Sequence, residues 1–254
     1  MSLPFRPGYE KFTPTHNGYF YPDNSSSVII KNLGSDYGEG QGQATRKLFD
    51  ELLSQYGIEV VPFSLVQTGK NLRNTSLFAV SDKIDGDVID YVKSPDSITE
   101  NQHLASVALN NNLITYLDTK VTSGEGFLGD IYGTHQYLYT PDEKLVLVDL
   151  DPFIEAPRNN KAPNTDPDRV RGELMRFGFI LEQCNIISKH DSSLVEQWDE
   201  RSHQLLDNIC QVNDITFPES DRSAIFQAFK DSKSDDLNEL FESVLRSPEN
   251  QHLK

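Results

Sequence analysis

Three aspartates flank a short stretch of the sequence whose pattern predicts a β-hairpin, GFLGDIYGTHQYLYTPDEKLVLVDLDP. Asp130 precedes two strand-like runs, YLY and LVLVD, which are joined by the turn TPDEK; Asp149 ends the second run and Asp151 follows it. Because antiparallel pairing returns the chain to its starting end, we expect Asp130 and Asp149 to lie close together. One carboxylate there can orient or deprotonate an acceptor hydroxyl, while another holds Mg²⁺ against substrate phosphates. The spacing therefore predicts a metal–phosphate site.

The elements before this hairpin form a β-rich segment with one helix. Aromatic and β-branched runs bounded by turn residues predict strands over 9–14, 18–22, 28–33, 58–67 and 75–84. Residues 34–43 are a Gly-rich loop, and leucines at helical spacing then predict a helix over 44–57 that ends at Gly57.

The rest of the chain reads as helical apart from the hairpin. A helix is predicted over 97–120, with Ser97 and Glu100 as its capping box. Its apolar face is predicted from Leu104, Val107, Ala108, Ile114 and Leu117. Further helices are predicted over 168–187, 192–211, 219–231 and 235–246, after a Pro- and Asn-rich loop.

Composition restricts the class of protein. The 254 residues are 37% hydrophobic and 24% charged, which indicates a packed core, and the net charge of −16 argues against binding to nucleic acid or to anionic membranes. Cys184 and Cys210 have no metal-ligand spacing and are predicted to be reduced thiols. Since the sequence has neither an apolar run long enough to span a membrane nor a signal-peptide pattern, we expect a cytoplasmic protein.

The segment LGDIYGTH resembles the catalytic loop of the protein-kinase-like superfamily, in particular its aminoglycoside- and choline-phosphotransferase branch, and LVLVDLDP resembles that branch's metal-binding strand end. The resemblance implies an α+β fold with two lobes: a β-rich N-lobe over residues 5–82 and a larger helical C-lobe over 83–254. It also implies that Asp130 is the catalytic base, that Asp149 is a Mg²⁺ ligand, and that Asp151 is a second ligand or an anchor of the loop.

The resemblance extends upstream and implies an ATP site. Lys31, within the strand VIIKNL, corresponds to the strand lysine that contacts nucleotide phosphates, and Glu51 on the predicted helix corresponds to its pairing partner, with Glu39 as the alternative. The resemblance also implies that TPTHNG is the phosphate loop, and Gly18 is its only glycine. Asp82 lies in a stretch, residues 77–92, that is similar to the strand and hinge where the family binds adenine.

Two residues depart from the family pattern. Leu128 occupies the place of the histidine before Gly-Asp, and His135 occupies the place of the asparagine that normally holds a metal ion. Imidazole suits Mg²⁺ poorly, so His135 is a candidate either for metal binding or for donating to phosphate in catalysis.

Three functions follow from these residues. The first is an ATP–Mg²⁺-dependent phosphotransferase whose acceptor is a protein or small-molecule hydroxyl; the acidic surface favours a basic acceptor. The second is a pseudokinase that binds a nucleotide or a protein. The third keeps the fold and transfers the nucleotide instead of the phosphate. The compact frame also resembles bacterial effector kinases, and an effector would be delivered into a host cell.

Overall fold

The computed structural model describes residues 14–15, 18–20, 28–35, 39–68, 76–123, 131–149, 167–230 and 234–253. These residues divide between two compact units. The first unit comprises the described parts of 1–88, 128–131 and 135–154, and the second comprises those of 89–127, 132–134 and 155–254. Strands and helices are both present, so the mixed fold class predicted from the sequence is confirmed.

The strands belong to the first unit and form two sheets. Their bounds are β1 Pro14–Thr15, β2 Gly18–Phe20, β3 Val28–Ser35, β4 Glu59–Val60, β5 Phe63–Thr68, β6 Ser76–Asp82, β7 Tyr137–Tyr139 and β8 Leu145–Leu147. The larger sheet has the order β1-β2-β3-β6-β5 and is antiparallel throughout. The smaller has the order β4-β8-β7, in which β4 runs parallel to β8. Strands β2, β3 and β6 confirm the predictions over 18–22, 28–33 and 75–84.

The single strand predicted over 58–67 is wrong, because the chain divides there between the two sheets. β4 ends at Val60, and the amide of Val61 still donates to the carbonyl of Leu147 over 2.9 Å. Pro62 has no amide hydrogen to continue that ladder, and β5 begins at Phe63 in the larger sheet.

The helix α1 spans Glu39–Tyr56 and starts five residues earlier than predicted. The Gly-rich composition favoured a loop up to residue 43, since each glycine costs a helix about 1 kcal/mol. Packing outweighs that cost, because α1 buries Leu48, Phe49 and Leu52. The predicted stop at Gly57 is confirmed: its φ is 63°, and its amide donates to the carbonyl of Leu53 over 3.2 Å.

The helix α2 spans Glu100–Ser123, and its capping box differs from the predicted one. Thr99 Oγ1 accepts from the amide of Gln102 at 3.2 Å, and Gln102 Oε1 accepts from the amide of Thr99 at 2.9 Å. These reciprocal bonds define a capping box two residues after the predicted Ser97–Glu100 pair. Ser97 instead ends a 3₁₀ turn, Pro95–Ser97, where its hydroxyl donates to the carbonyl of Ser94.

The four remaining helices confirm the predictions for the end of the chain. They are α3 Pro167–Ser188, α4 Leu194–Asn213, α5 Glu219–Lys230 and α6 Ser234–Leu245. Their core includes the buried rings of Phe177, Trp198 and Phe226. Both cysteines are free, as expected. None of the helices in the described ranges has the length and apolar composition that crossing a bilayer requires.

Two glycines provide a matched test of packing. A Cβ atom on Gly86 would lie 2.8 Å from the carbonyl oxygen of Tyr139, whereas one on Gly178 in α3 would lie 3.5 Å from Phe241 Cε2. We expect Gly86→Ala to lower the free energy of unfolding by about 1–3 kcal/mol, because backbone cannot move aside as a side chain can. Gly178→Ala should raise it by about 0.5–1 kcal/mol through better helix propensity. Urea unfolding of both variants checks this; equal effects would contradict the close approach at Gly86.

Candidate functional site

The hairpin predicted from the sequence is present. Tyr137 pairs with Leu147, and Tyr139 pairs with Leu145. Its turn is closed by the amide of Thr140, which donates to the carbonyl of Lys144 over 2.9 Å. The ends of the two strands therefore lie side by side, with the residues before β7 next to those after β8.

A backbone carbonyl joins the two flanks of this hairpin. A 3₁₀ turn, Thr134–Gln136, leads into β7, and the carbonyl of Gln136 accepts from the amides of Val148 at 2.9 Å and Asp149 at 3.4 Å. Asp149 is thus held beside the turn that contains His135. Gln136 itself is buried, which indicates a fixed rather than a solvent-exposed turn. We call this arrangement the Gln136 junction.

The loop that carries Asp130 is also fixed to the hairpin at its next residue. The phenol hydroxyl of Tyr137 donates to the carbonyl of Ile131 over 2.7 Å, and both side chains are buried. Asp130 lies outside the described residues, as do Leu128 and Asp151. Their predicted roles stay predictions, while Ile131, the residue that follows Asp130, is hydrogen-bonded to Tyr137 of β7.

The candidate metal ligands differ in burial. Asp149 is half-buried and its Oδ1 atom is shielded from solvent, whereas His135 is exposed. Within the described ranges, no three His, Cys, Asp or Glu side chains gather in a way that could hold a metal ion. Of the two candidate ligands that the structure describes, Asp149 is the one with a hard carboxylate oxygen, which Mg²⁺ prefers. A site formed by Asp149, Asp151 and His135 therefore stays a prediction.

The second sheet fixes the hairpin against the segment that follows α1. β4 pairs with β8 in the register Glu59 with Val146 and Val60 with Leu147. Lys144 Nζ lies 3.0 Å from Glu59 Oε1, and this partner raises the pKa of Lys144. The pair lies at the turn end of the hairpin, away from the Gln136 junction. It therefore helps to orient the hairpin against β4 and is not part of the candidate site.

Two of the predicted phosphate-contacting residues are neighbours in the larger sheet. Lys31 lies on β3, the middle strand, and its register partners are Gly18 on β2 and Ala79 on β6. Ala79 is buried. An isolated strand lysine usually lies on a sheet edge, which is not the case for Lys31. The side chain of Lys31 lies outside the described part of the chain.

The predicted partner of Lys31 lies on α1. Glu51 is half-buried and adjoins the buried Leu52, on the same helix that begins with the alternative, Glu39. The pairing of Glu51 with Lys31 stays a prediction.

The segment that follows β6, which we call the connector, is hydrogen-bonded to the hairpin. Asp82 is exposed and pairs with Val28 at the end of β6. Asp87 exchanges both backbone hydrogen bonds with Tyr139, at 3.0 and 2.8 Å. Between them, residues 83–86 are exposed or half-buried, so this segment lies at the surface of the described part of the chain. This placement is compatible with the predicted cofactor role of the Asp82 segment.

Sequence reasoning missed the residues that assemble the candidate site through their backbones. Gln136, Asp87 and Gly86 act through carbonyl and amide groups or through the lack of a side chain. Only Gly86, a glycine beside two aspartates in IDGDV, gave a signal, and it is indistinguishable from that of an ordinary turn.

No family model matches this chain, and no curated protein matches it. Among solved structures, it is similar to a pseudokinase in its apo form, with 12% identity, a TM-score of 0.36, and coverage of 93% of this chain and 91% of that one. It is also similar to a MAP kinase from Leishmania major, with 11% identity, a TM-score of 0.31, and coverage of 89% and 76%.

Proposed function

We propose that the protein is an ATP- and Mg²⁺-dependent phosphotransferase with a protein-kinase-like fold. The observation that carries the proposal is the Gln136 junction, which holds Asp149 beside the loop that follows the candidate base. Phosphoryl transfer needs an acceptor-orienting carboxylate and a metal-binding carboxylate within one small region. The hairpin supports the proposal because it brings Asp149 next to the loop that follows Asp130.

Each site residue has a distinct part in the proposed reaction. Asp149, with Asp151 or His135, would hold Mg²⁺, which neutralises charge on the phosphates when bound. Lys31 would contact the phosphates and Glu51 would hold Lys31. Asp130 would orient the acceptor hydroxyl and accept its proton.

Two further segments would position the nucleotide. Gly18 allows the backbone of β2 to approach the phosphates beside Lys31, its register partner. Backbone groups after Asp82 would bind the adenine. Catalysis would then depend on positioning and electrostatics, without a covalent intermediate on the protein. With a net charge of −16, the protein favours a basic acceptor, either a protein or an amine-bearing small molecule.

A pseudokinase is the second candidate, favoured by His135. The side chain of His135 is exposed. It would offer Mg²⁺ a nitrogen atom where the family pattern has the oxygen of an asparagine, and this weakens Mg²⁺ binding. Transfer of the nucleotide instead of the phosphate is the third candidate, and mass spectrometry of the modified acceptor distinguishes a phosphoryl from a nucleotidyl adduct.

Nucleotide binding is tested by thermal unfolding. We expect ATP with Mg²⁺, at about a hundredfold excess over its Kd, to raise the Tm by roughly 5–10 °C, because a ligand of the folded state stabilises it by mass action. ATP with EDTA should have a much smaller effect. Lys31→Met should reduce the shift, whereas Lys93→Met, at an exposed side chain outside the proposed nucleotide-binding segments, should not. A shift independent of Mg²⁺ would favour a pseudokinase that binds a nucleotide. No shift with any nucleotide would contradict the phosphotransferase and favour a pseudokinase that binds a protein.

A further inference from the structure

A cavity of roughly 270 Å³ lies between α3 and α4, with α5 closing one side. It belongs entirely to the second unit and shares no residue with the candidate phosphotransfer site. Ligand pockets for drug-sized molecules begin at about 300 Å³. This α3–α4 cavity is therefore too small for a nucleotide and suits a small organic molecule.

The floor of the α3–α4 cavity is apolar. It is formed by Leu181, Cys184, Trp198 and Phe226, all of them buried residues. Burial raises the pKa of the Cys184 thiol to about 12, so this residue presents a neutral, unreactive surface. A ligand that enters must accordingly place an apolar body against these side chains.

The aromatic side chains of the floor are held in place without a ligand. Trp198 Nε1 donates to Asn111 Oδ1 over 3.0 Å, and the same oxygen accepts from Arg201 Nη1 over 2.7 Å. The ring of Phe226 stacks on His203 with centroids 3.7 Å apart. Because other side chains fix both rings, the cavity is preformed, and a ligand loses little affinity to ordering of the protein.

The rim carries one charge of each sign, and further acidic residues lie beside it on α4. Asp199 lines the cavity from α4 and is partly exposed, and Lys189 lines it from the end of α3. The exposed Glu196 and Glu200 flank Asp199 on the same helix, and His203 Nε2 lies 3.9 Å from Asp199 Oδ2. Together with the net charge of −16, this arrangement favours a cation at the rim.

We infer that the α3–α4 cavity binds a small amine whose apolar body contacts Trp198 and Phe226 while its ammonium group meets Asp199. The site requires no part of the proposed phosphotransfer reaction, so either proposal can fail without the other. Its ligand class is an aromatic or branched aliphatic amine.

The test uses the protein's only tryptophan, Trp198, which is 2% exposed and forms part of the floor. Three probes share one ring and differ in charge: benzylamine, benzyl alcohol and phenylacetate. We expect benzylamine to change Trp198 fluorescence saturably in the millimolar range, with benzyl alcohol weaker and phenylacetate weakest. The absence of a saturable change with any probe would overturn the inference, as would equal affinity for all three.

Three variants distinguish binding of the amine at this cavity from its attraction to the overall negative charge of the protein. Asp199→Asn should weaken benzylamine roughly two- to fivefold, as expected for one partly exposed charge pair, and leave benzyl alcohol unchanged. Val195→Phe should weaken all three probes, because Val195 lines the cavity and is 47% exposed, so a larger side chain can cover the opening without straining the core. Glu196→Gln is the control, since Glu196 is exposed and does not line the cavity. If Glu196→Gln weakens benzylamine as much as Asp199→Asn does, the amine is not bound at this rim.

Discussion

Replacing Asp149 by Asn should lower ATP–Mg²⁺-dependent phosphoryl transfer by roughly 10²–10³-fold, the range seen when one electrostatic stabiliser of a transition state is removed. The substitution keeps the size of the side chain and removes the negative charge that would hold Mg²⁺. The backbone bond from the Asp149 amide to Gln136 does not depend on the side chain, so the fold of the junction should persist. Turnover measured with a generic basic acceptor or as ATP hydrolysis, together with the Tm, checks both expectations.

The control for this experiment lies in the same hairpin. Asp142 is exposed in the turn between β7 and β8, at the end away from the Gln136 junction. Asp142→Asn makes the same chemical change within the same element, and turnover should stay within about twofold, as for surface substitutions away from a site. Normal turnover in Asp149→Asn would show that Asp149 is not the metal ligand.

Elements set by local pattern could be predicted from the sequence. The β7–β8 hairpin follows from two apolar runs around a turn, and α3 to α6 follow from helical periodicity. Gly57 ends α1 because its left-handed conformation suits glycine. In each case the deciding interactions join residues close in sequence, and a local pattern therefore contains the signal.

Only part of the face that α2 buries could be predicted from hydrophobicity. Ile114 and Leu117 are buried as predicted, but Leu104 is exposed, and the polar residues Ser106 and Asn110 are buried. The hydroxyl of Ser106 donates to the carbonyl of Gln102, and Asn110 Nδ2 lies 3.0 Å from Cys184 Sγ on α3. Polar side chains can occupy a buried face when such partners satisfy them, and their partners are unknown until the tertiary structure is known.

The assembly of the candidate site likewise depends on contacts between distant residues. β4 and β8 pair in parallel although Val146 lies 87 positions after its partner Glu59 in the sequence. The Asp87–Tyr139 bridge and the Gln136 junction use backbone groups that every residue possesses. The sequence therefore predicted which carboxylate follows the hairpin, but not what holds it there.

A buried charge pair lies in the second unit. Glu173 on α3 has no exposed side-chain surface, and Arg169 Nε donates to its Oε1 over 2.8 Å. Asn213, at the end of α4, donates to the other carboxylate oxygen over 2.6 Å. Burial raises the pKa of Glu173, while Arg169 and Asn213 oppose that rise. The pair thus holds a carboxylate in the core that would otherwise favour its neutral form.

Arg169→Met should lower the free energy of unfolding by about 3 kcal/mol near pH 8, because it removes the cation that is hydrogen-bonded to the buried Glu173 carboxylate. The loss should be smaller near pH 5. A carboxyl whose folded-state pKa is raised contributes stability at low pH and loses it as the pH rises through that folded pKa, and removing Arg169 raises the folded pKa further. Urea unfolding of the wild type and the variant at both pH values measures the difference.

Two comparisons separate this mechanism from a loss of packing by the arginine side chain. Arg169→Met combined with Glu173→Gln should recover much of the stability at pH 8, because a neutral amide can still accept from Asn213 and carries no buried charge. Arg246→Met removes an arginine that is 77% exposed and pairs with Glu242, and it should cost less than about 1 kcal/mol at either pH. If Arg169→Met costs the same at pH 5 and pH 8, the arginine stabilises α3 by packing alone and the charge of Glu173 is not what it compensates.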